Sequence, residues 1–96
     1  MTVRRSTSGD ASALARLAAL DSARPPRGPA LIAEADSRML AALPLGAGRP
    51  IADPFERTAG LVQLLELRRS QIEAARRGSD RARGLRALLR GRLSHA

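Results

Sequence analysis

Apolar and polar positions change period several times along the chain, and each change predicts an element. Thr2 to Ser6 predicts a short first strand. Thr7-Ser8-Gly9-Asp10 then has the form of a capping box, with Thr7 as N-cap and acidic Asp10 three residues on. In the helix that follows, Leu14, Leu17 and Ala18 share one face, with Leu20 beside them. It should end by Arg24, because Pro25 and Pro26 cannot continue it. Arg24 to Pro29 reads as a loop. Ala30 to Ala35 predicts a strand: Leu31, Ala33 and Ala35 alternate with Ile32 and Glu34, so one face is small and apolar and the other mixed. Asp36-Ser37 suits a two-residue turn, although glycine at the second position would be the stronger signal. Arg38 to Leu43 makes the return strand. Pro44 restricts it to an edge or ends its regular pairing. Gly46-Ala47-Gly48 is a second turn, and Pro50 to Asp53 a further short strand.

A second helix follows, with two candidate starts. Asp53-Pro54-Phe55-Glu56 offers a cap, a first-turn proline and a completing glutamate; the alternative is Thr58, with Pro54 to Arg57 as a loop. From either start Leu61, Leu64, Leu65 and Ile72 share a face, with Val62 at its margin. Glu66–Arg69 and Glu73–Arg77 have the spacing of surface ion pairs. Gly78 reads as the C-cap. Beyond it, Ser79 to Ala96 has its own helical stripe of Leu85, Leu88, Leu89 and Leu93, while Gly84 and Gly91 each weaken that helix by about 1 kcal/mol. Such a helix needs a surface to lean on, either the sheet or a second copy. The expected fold class is α+β: a small, mostly antiparallel sheet of three to four strands with two helices, plus a basic C-terminal helix. Residues 1–78 form the domain and 79–96 an Arg-rich amphipathic tail.

Composition changes this picture in two ways. Hydrophobic residues are 44% of the 96, but alanine supplies much of that, with one Phe and no Tyr or Trp. Aromatic rings bury the most area per residue, so the core should be only marginally stable, and dimerisation would bury more. The net charge is +8, and all 17 basic residues are arginine. Either an anionic partner or the codon bias of a GC-rich genome accounts for a chain rich in Arg and Ala and free of Lys. The charge is uneven: residues 1–67 hold eight Arg against seven carboxylates, and residues 68–96 hold nine Arg against Glu73 and Asp80. A nucleic acid would meet Arg68, Arg69, Arg76, Arg77, Arg81, Arg83, Arg86, Arg90 and Arg92, with salt-dependent affinity. Phe55 alone could stack on a base, which disfavours single-strand recognition. The absence of cysteine excludes disulfides, thiolate metal sites and thiol nucleophiles. No apolar run approaches the ~20 residues needed to span a bilayer, and no signal peptide is legible. A cytoplasmic location is expected.

The order strand, helix, hairpin, strand, helix resembles the first half of the GNAT acyltransferase fold. Val3-Arg4-Arg5-Ser6-Thr7 with Asp10 to Ala18 is similar to the opening strand and helix of that family, and Ala30 to Asp36 to its second strand and turn. The chain as a whole resembles short GNAT-like proteins of actinobacterial type that stop early. The resemblance covers roughly residues 2–77. It implies a cofactor site at the second helix start, where Arg or Gln, two residues, Gly, one residue, and Gly or Ala grip the pyrophosphate of acetyl-CoA through backbone N–H groups. Here the segment is Arg57-Thr58-Ala59-Gly60-Leu61-Val62. Arg57 and Gly60 match; Val62 stands where a small residue is expected and would crowd the phosphate. An ordinary helix start accounts for the same six residues. The family's general acid is often a Tyr, which the chain lacks, and no β-branched run after Gly78 supplies the strand beside which pantetheine lies.

Glu34, Asp53 and Glu56 are candidate bases better explained by surface charge and capping, and the lone His95 sits next to the terminus. No catalytic residue, metal or resident cofactor is therefore assigned. The expectation is a truncated GNAT-like domain without acetyltransferase activity, acting as a small interaction or regulatory module. The alternatives are nucleic-acid binding by the basic segment, residual acyl-CoA-dependent N-acyltransfer, and attachment of the tail to a membrane surface.

Overall fold

The computed structural model describes the backbone of residues 1–94 and the side chains of residues 1–89. Strand β1 (Thr2–Arg5) leads through a 3-10 turn at Ser8–Asp10 into helix α1 (Ala11–Leu20). Strands β2 (Ala30–Ala35), β3 (Arg38–Pro44) and β4 (Ile51–Ala52) follow, and then helix α2 (Ala59–Ser94). The four strands form one antiparallel sheet in the order β1-β2-β3-β4. The α+β class and the small antiparallel sheet expected from the pattern are therefore present. No described helix is long and apolar enough to cross a membrane.

One helix covers each face of the sheet. Alternation along the strands sends Ile32, Ala42 and Ile51 to the α1 side, where they meet Leu14, Leu17 and Ala18. Leu31, Ala33, Ala41 and Leu43 point the other way and pack with Leu65 of α2, joined by Val3, Leu61, Val62 and Ile72. Ile32, Leu43 and Leu65 are the largest fully buried side chains. A bulge places Leu40 of β3 outside the register, since Ala33 pairs with Ala41 and Glu34 with Met39. The extra residue switches the alternation, so Met39 packs on the α1 side.

The hairpin turn at Asp36 and Ser37 has positive φ at both residues, 50° and 63°. That is the primed turn the two-residue spacing called for, built without glycine. Helix α1 stops at Leu20, before the prolines. Ser22 takes a φ of 51°, its N–H reaches the Ala19 carbonyl at 3.2 Å, and the Ala23 N–H reaches that of Ala18 at 2.8 Å. Ser22 thus closes a Schellman-type end usually given to glycine.

Two expectations need correction and one open choice is decided. First, of its two candidate starts α2 takes Thr58, whose carbonyl accepts the Val62 N–H at 2.8 Å. The Asp53 signal makes a turn instead: its Oδ1 accepts the Phe55 N–H at 2.9 Å and its carbonyl the Glu56 N–H at 3.3 Å. Second, Gly78 is not a C-cap. The helix passes through it, and positive φ among the described glycines occurs only at Gly28 and Gly48. A glycine permits a helix end without compelling one, at a cost of about 1 kcal/mol. Third, the tail stripe does not lie on the sheet. Leu85, Leu88 and Leu89 are 59%, 58% and 50% exposed, and every residue from Ala74 to Leu89 is exposed. Helix α2 therefore projects from the head. The molecule measures 65 × 24 × 21 Å with a radius of gyration of 18.0 Å, against about 12.5 Å for a compact chain of this length.

Candidate functional site

Arg57, Thr58, Ala59, Gly60, Leu61 and Val62 sit together at the start of α2. Arg57, Ala59 and Gly60 are exposed, Thr58 is half-buried, and Leu61 and Val62 pack inward against the cluster around Leu65. The core takes up the bulk of Val62. A Cβ added at Gly60 would meet nothing within 4 Å, so no close backbone approach requires glycine there. The edge beside this helix start is short and engaged. Strand β4 has two residues, and its Ala52 N–H donates to Asp21 Oδ2 at 3.1 Å. Among the described residues no strand follows β4. Among the described residues, five surface clefts are lined by residues other than 57–62.

The carboxylates that acid–base chemistry would need are occupied by arginines. Arg4 reaches both oxygens of Asp10 at 2.9 Å and Glu34 at 3.0 and 3.2 Å. Asp10 Oδ2 also accepts the Thr7 N–H at 2.6 Å, which completes the box legible in the sequence. The Arg4 guanidinium first, and the Thr7 N–H second, hold the Asp10 carboxyl well below its ordinary value. Arg4 is correspondingly raised, chiefly by Asp10 and then Glu34. This network ties β1, β2 and the entry to α1 together. At the other end of the sheet, Arg38 reaches Glu56 at 3.2 Å and the buried Asp53 at 3.5 Å. Arg38 and Asp53 border a small cleft of about 200 Å³ between α1 and the β2–β3 turn, with Arg16 and Met39. Among the described residues no group of three or more His, Cys, Asp or Glu could hold a metal ion. His95 lies outside the described residues.

The arginines of α2 divide by position. The Arg69 guanidinium donates to the carbonyls of Pro44 and Gly48, both at 3.1 Å, and so pins the β3–β4 loop. The expected Glu66–Arg69 pair is absent because that loop outcompetes it, and Glu73–Arg77 does not pair either. Arg83 is bonded to Asp80 at 3.0 Å. Arg68, Arg76, Arg77, Arg81 and Arg86 are exposed along the helix. The side chains of Arg90 and Arg92 lie outside the described residues.

One surface escapes a reading that ends the helix at Gly78. Leu64, assigned to the core face, is 39% exposed, and Leu67 is 56% exposed. Leu67 lies on the side of α2 away from Leu61, Leu65 and Ile72, and Leu64 at the border between the two faces. With the period carried through Gly78, Ala74, Ala82, Leu85 and Leu89 fall in line with them. The result is an apolar stripe facing away from the sheet, interrupted at Gln71. The signal that could have found it is the 3.6-residue period counted from Leu64 to Leu89 without a stop.

Comparison with models of known protein families, with curated proteins and with solved structures finds no match to this chain.

Proposed function

We propose that this chain is an interaction module: a GNAT-like half-fold, without acyltransferase activity, that holds out a long basic helix for a protein partner. The observation that carries this reading is the exposure of α2 from Ala74 to Leu89 on every side, with three leucines half exposed or more. A helical segment without packing contacts lacks the main source of helix stability in proteins, and Gly78 and Gly84 make it weaker. An exposed leucine stripe on such a helix is the pattern of a surface that is covered in use.

The GNAT-like part of the proposal rests on the strand order, on a helix lying on each face, and on Arg57 and Gly60 at the start of α2. Loss of acyltransfer is supported by the short β4 edge, whose Ala52 N–H is taken by Asp21, and by the arginines that engage Glu34, Asp53 and Glu56. The absence of tyrosine adds to this.

Two measurements test the proposal. A photoreactive cross-linker at Leu85 should give a discrete adduct in living cells, and the same group at Arg24 on the head should not. No adduct from Leu85, or matching adducts from both sites, would sink the interaction reading. Titration with acetyl-CoA at physiological salt should give no saturable heat. Micromolar binding abolished by Gly60→Glu, a change the open space at Gly60 accommodates, would restore the acyl-CoA reading.

A further inference from the structure

The outer stripe of α2 also carries information about what covers it. Leu64, Leu67, Ala74, Ala82, Leu85 and Leu89 run along the face turned away from the sheet, over roughly 40 Å of helix. Leucines occupy both ends and Gln71, Ala74, Gly78 and Ala82 the middle, so a partner's large side chains would seat over the small residues between Ala74 and Ala82.

The charges beside the stripe are of one sign. Arg68, Arg81 and Arg86 flank it. The three carboxylates of α2, Glu66, Glu73 and Asp80, recur every seven residues and stack on a different flank, on the sheet side of the helix. Asp80 is already engaged by Arg83. The surface offered to a partner is therefore apolar along its centre except at Gln71, and every charge at its borders is cationic.

We infer that the outer face of α2 binds an acidic amphipathic helix, one with an apolar seam flanked by Glu or Asp. This rests on the interaction reading above and adds the chemistry of the partner. A second copy of the chain is the poorer occupant. Pairing two outer faces in either orientation brings only Arg68, Arg81 and Arg86 to the seam from each side, with no carboxylate to meet them. Like charges across such a seam oppose association, and opposite charges at these flanking positions choose the partner. A nucleic acid would use the arginines but leave the leucine stripe bare.

The test uses the full chain and a synthetic four-heptad peptide with leucines at the seam and glutamates at the flanks. A version with every flanking Glu replaced by Lys, random-coil polyglutamate and a short DNA duplex serve as controls. The acidic peptide should bind saturably at physiological salt, at least about tenfold more tightly than either peptide control. Binding should slow amide exchange across residues 74–89. Leu85→Asp with Leu89→Asp should weaken binding about tenfold or more without moving the thermal midpoint of the head, because both side chains are exposed. Arg68→Glu, Arg81→Glu and Arg86→Glu together should switch the preference to the Lys peptide. Equal binding of both peptides would overturn the charge argument. Tight DNA binding lost with added salt and indifferent to the leucine changes would replace the proposal with a nucleic-acid partner. A stable homodimer that the acidic peptide does not displace would replace it with self-association. A silent acidic peptide beside a positive Leu85 cross-link would refute the partner's chemistry and leave the interaction reading standing.

Discussion

The head and the distal half of α2 share a composition of leucine, alanine and arginine but use it in opposite ways. In the head, three arginines are engaged by other parts of the fold. Arg4 sits between Asp10 and Glu34, Arg38 between Asp53 and Glu56, and Arg69 on two backbone carbonyls. Residues 1–67 carry eight Arg and seven carboxylates, so their net charge is close to zero. Leu14, Leu17, Leu31, Leu43 and Leu65 are buried there. From Ala74 to Leu89 the same residue types face solvent, and by count the nine Arg of residues 68–96 stand against two carboxylates. Leucine and arginine therefore do not announce their role. An arginine beside a carboxylate brought in from another strand is part of the fold, and an arginine on a projecting helix is available to something else.

The largest test of this contrast is a pair of identical truncations. Leu65→Ala removes the fully buried anchor of α2 and should cost about 2–4 kcal/mol in denaturant unfolding. Leu85→Ala should change stability by less than about 0.5 kcal/mol. Equal losses would mean that the distal half is part of the core after all.

A smaller effect separates the matched charges of the head from the unmatched ones. Arg4→Ala should lower the thermal midpoint, whereas Arg81→Ala should leave it unchanged. The pH dependence gives the sign. The Asp10 carboxyl is held below its ordinary value in the folded state. Its contribution is thus complete above the ordinary carboxylate range, near pH ~4, and is lost as pH falls from there toward the folded value. Wild-type protein should lose stability across that acid window more steeply than Arg4→Ala. Parallel pH profiles would remove the Arg4–Asp10 pair from the account.

The smallest expected effect concerns turns, and it stabilises. Ser22 and Ser37 hold positive φ without the freedom of glycine. Ser22→Gly and Ser37→Gly should each raise unfolding stability by about 0.5–1 kcal/mol. Unchanged stability would mean that the left-handed geometry costs serine little at these sites.

Much of the head was legible because its signals are local. The Thr7–Asp10 box, the alternation of Leu31 and Ala33 with Ile32, and the Asp36-Ser37 turn each depend on residues a few positions apart. What failed were signals whose meaning depends on a neighbour distant in sequence. Asp53-Pro54 can open a helix or close a turn; Arg38, arriving from β3, and the Asp53 pairing to Leu40 decide for the turn. Gly78 can stop a helix or be carried through it, and with no positive φ imposed from outside it is carried through. The candidate phosphate site was visible as a string from Arg57 to Val62. The helical period had already put Val62 at the margin of the face of Leu61, Leu65 and Ile72, and it packs there against the core.

The sequence by itself determined the α+β class, the order of elements, the capping box and the concentration of positive charge after Leu67. Each follows from backbone preference, periodicity or simple counting, which need no knowledge of what lies across the fold. Tertiary structure alone decided which arginines are spent on carboxylates and carbonyls, and where along α2 the buried face ends. The sheet is only wide enough to cover Leu61 to Ile72. Where it ends, the same helical period that buries leucine in the head leaves it facing water.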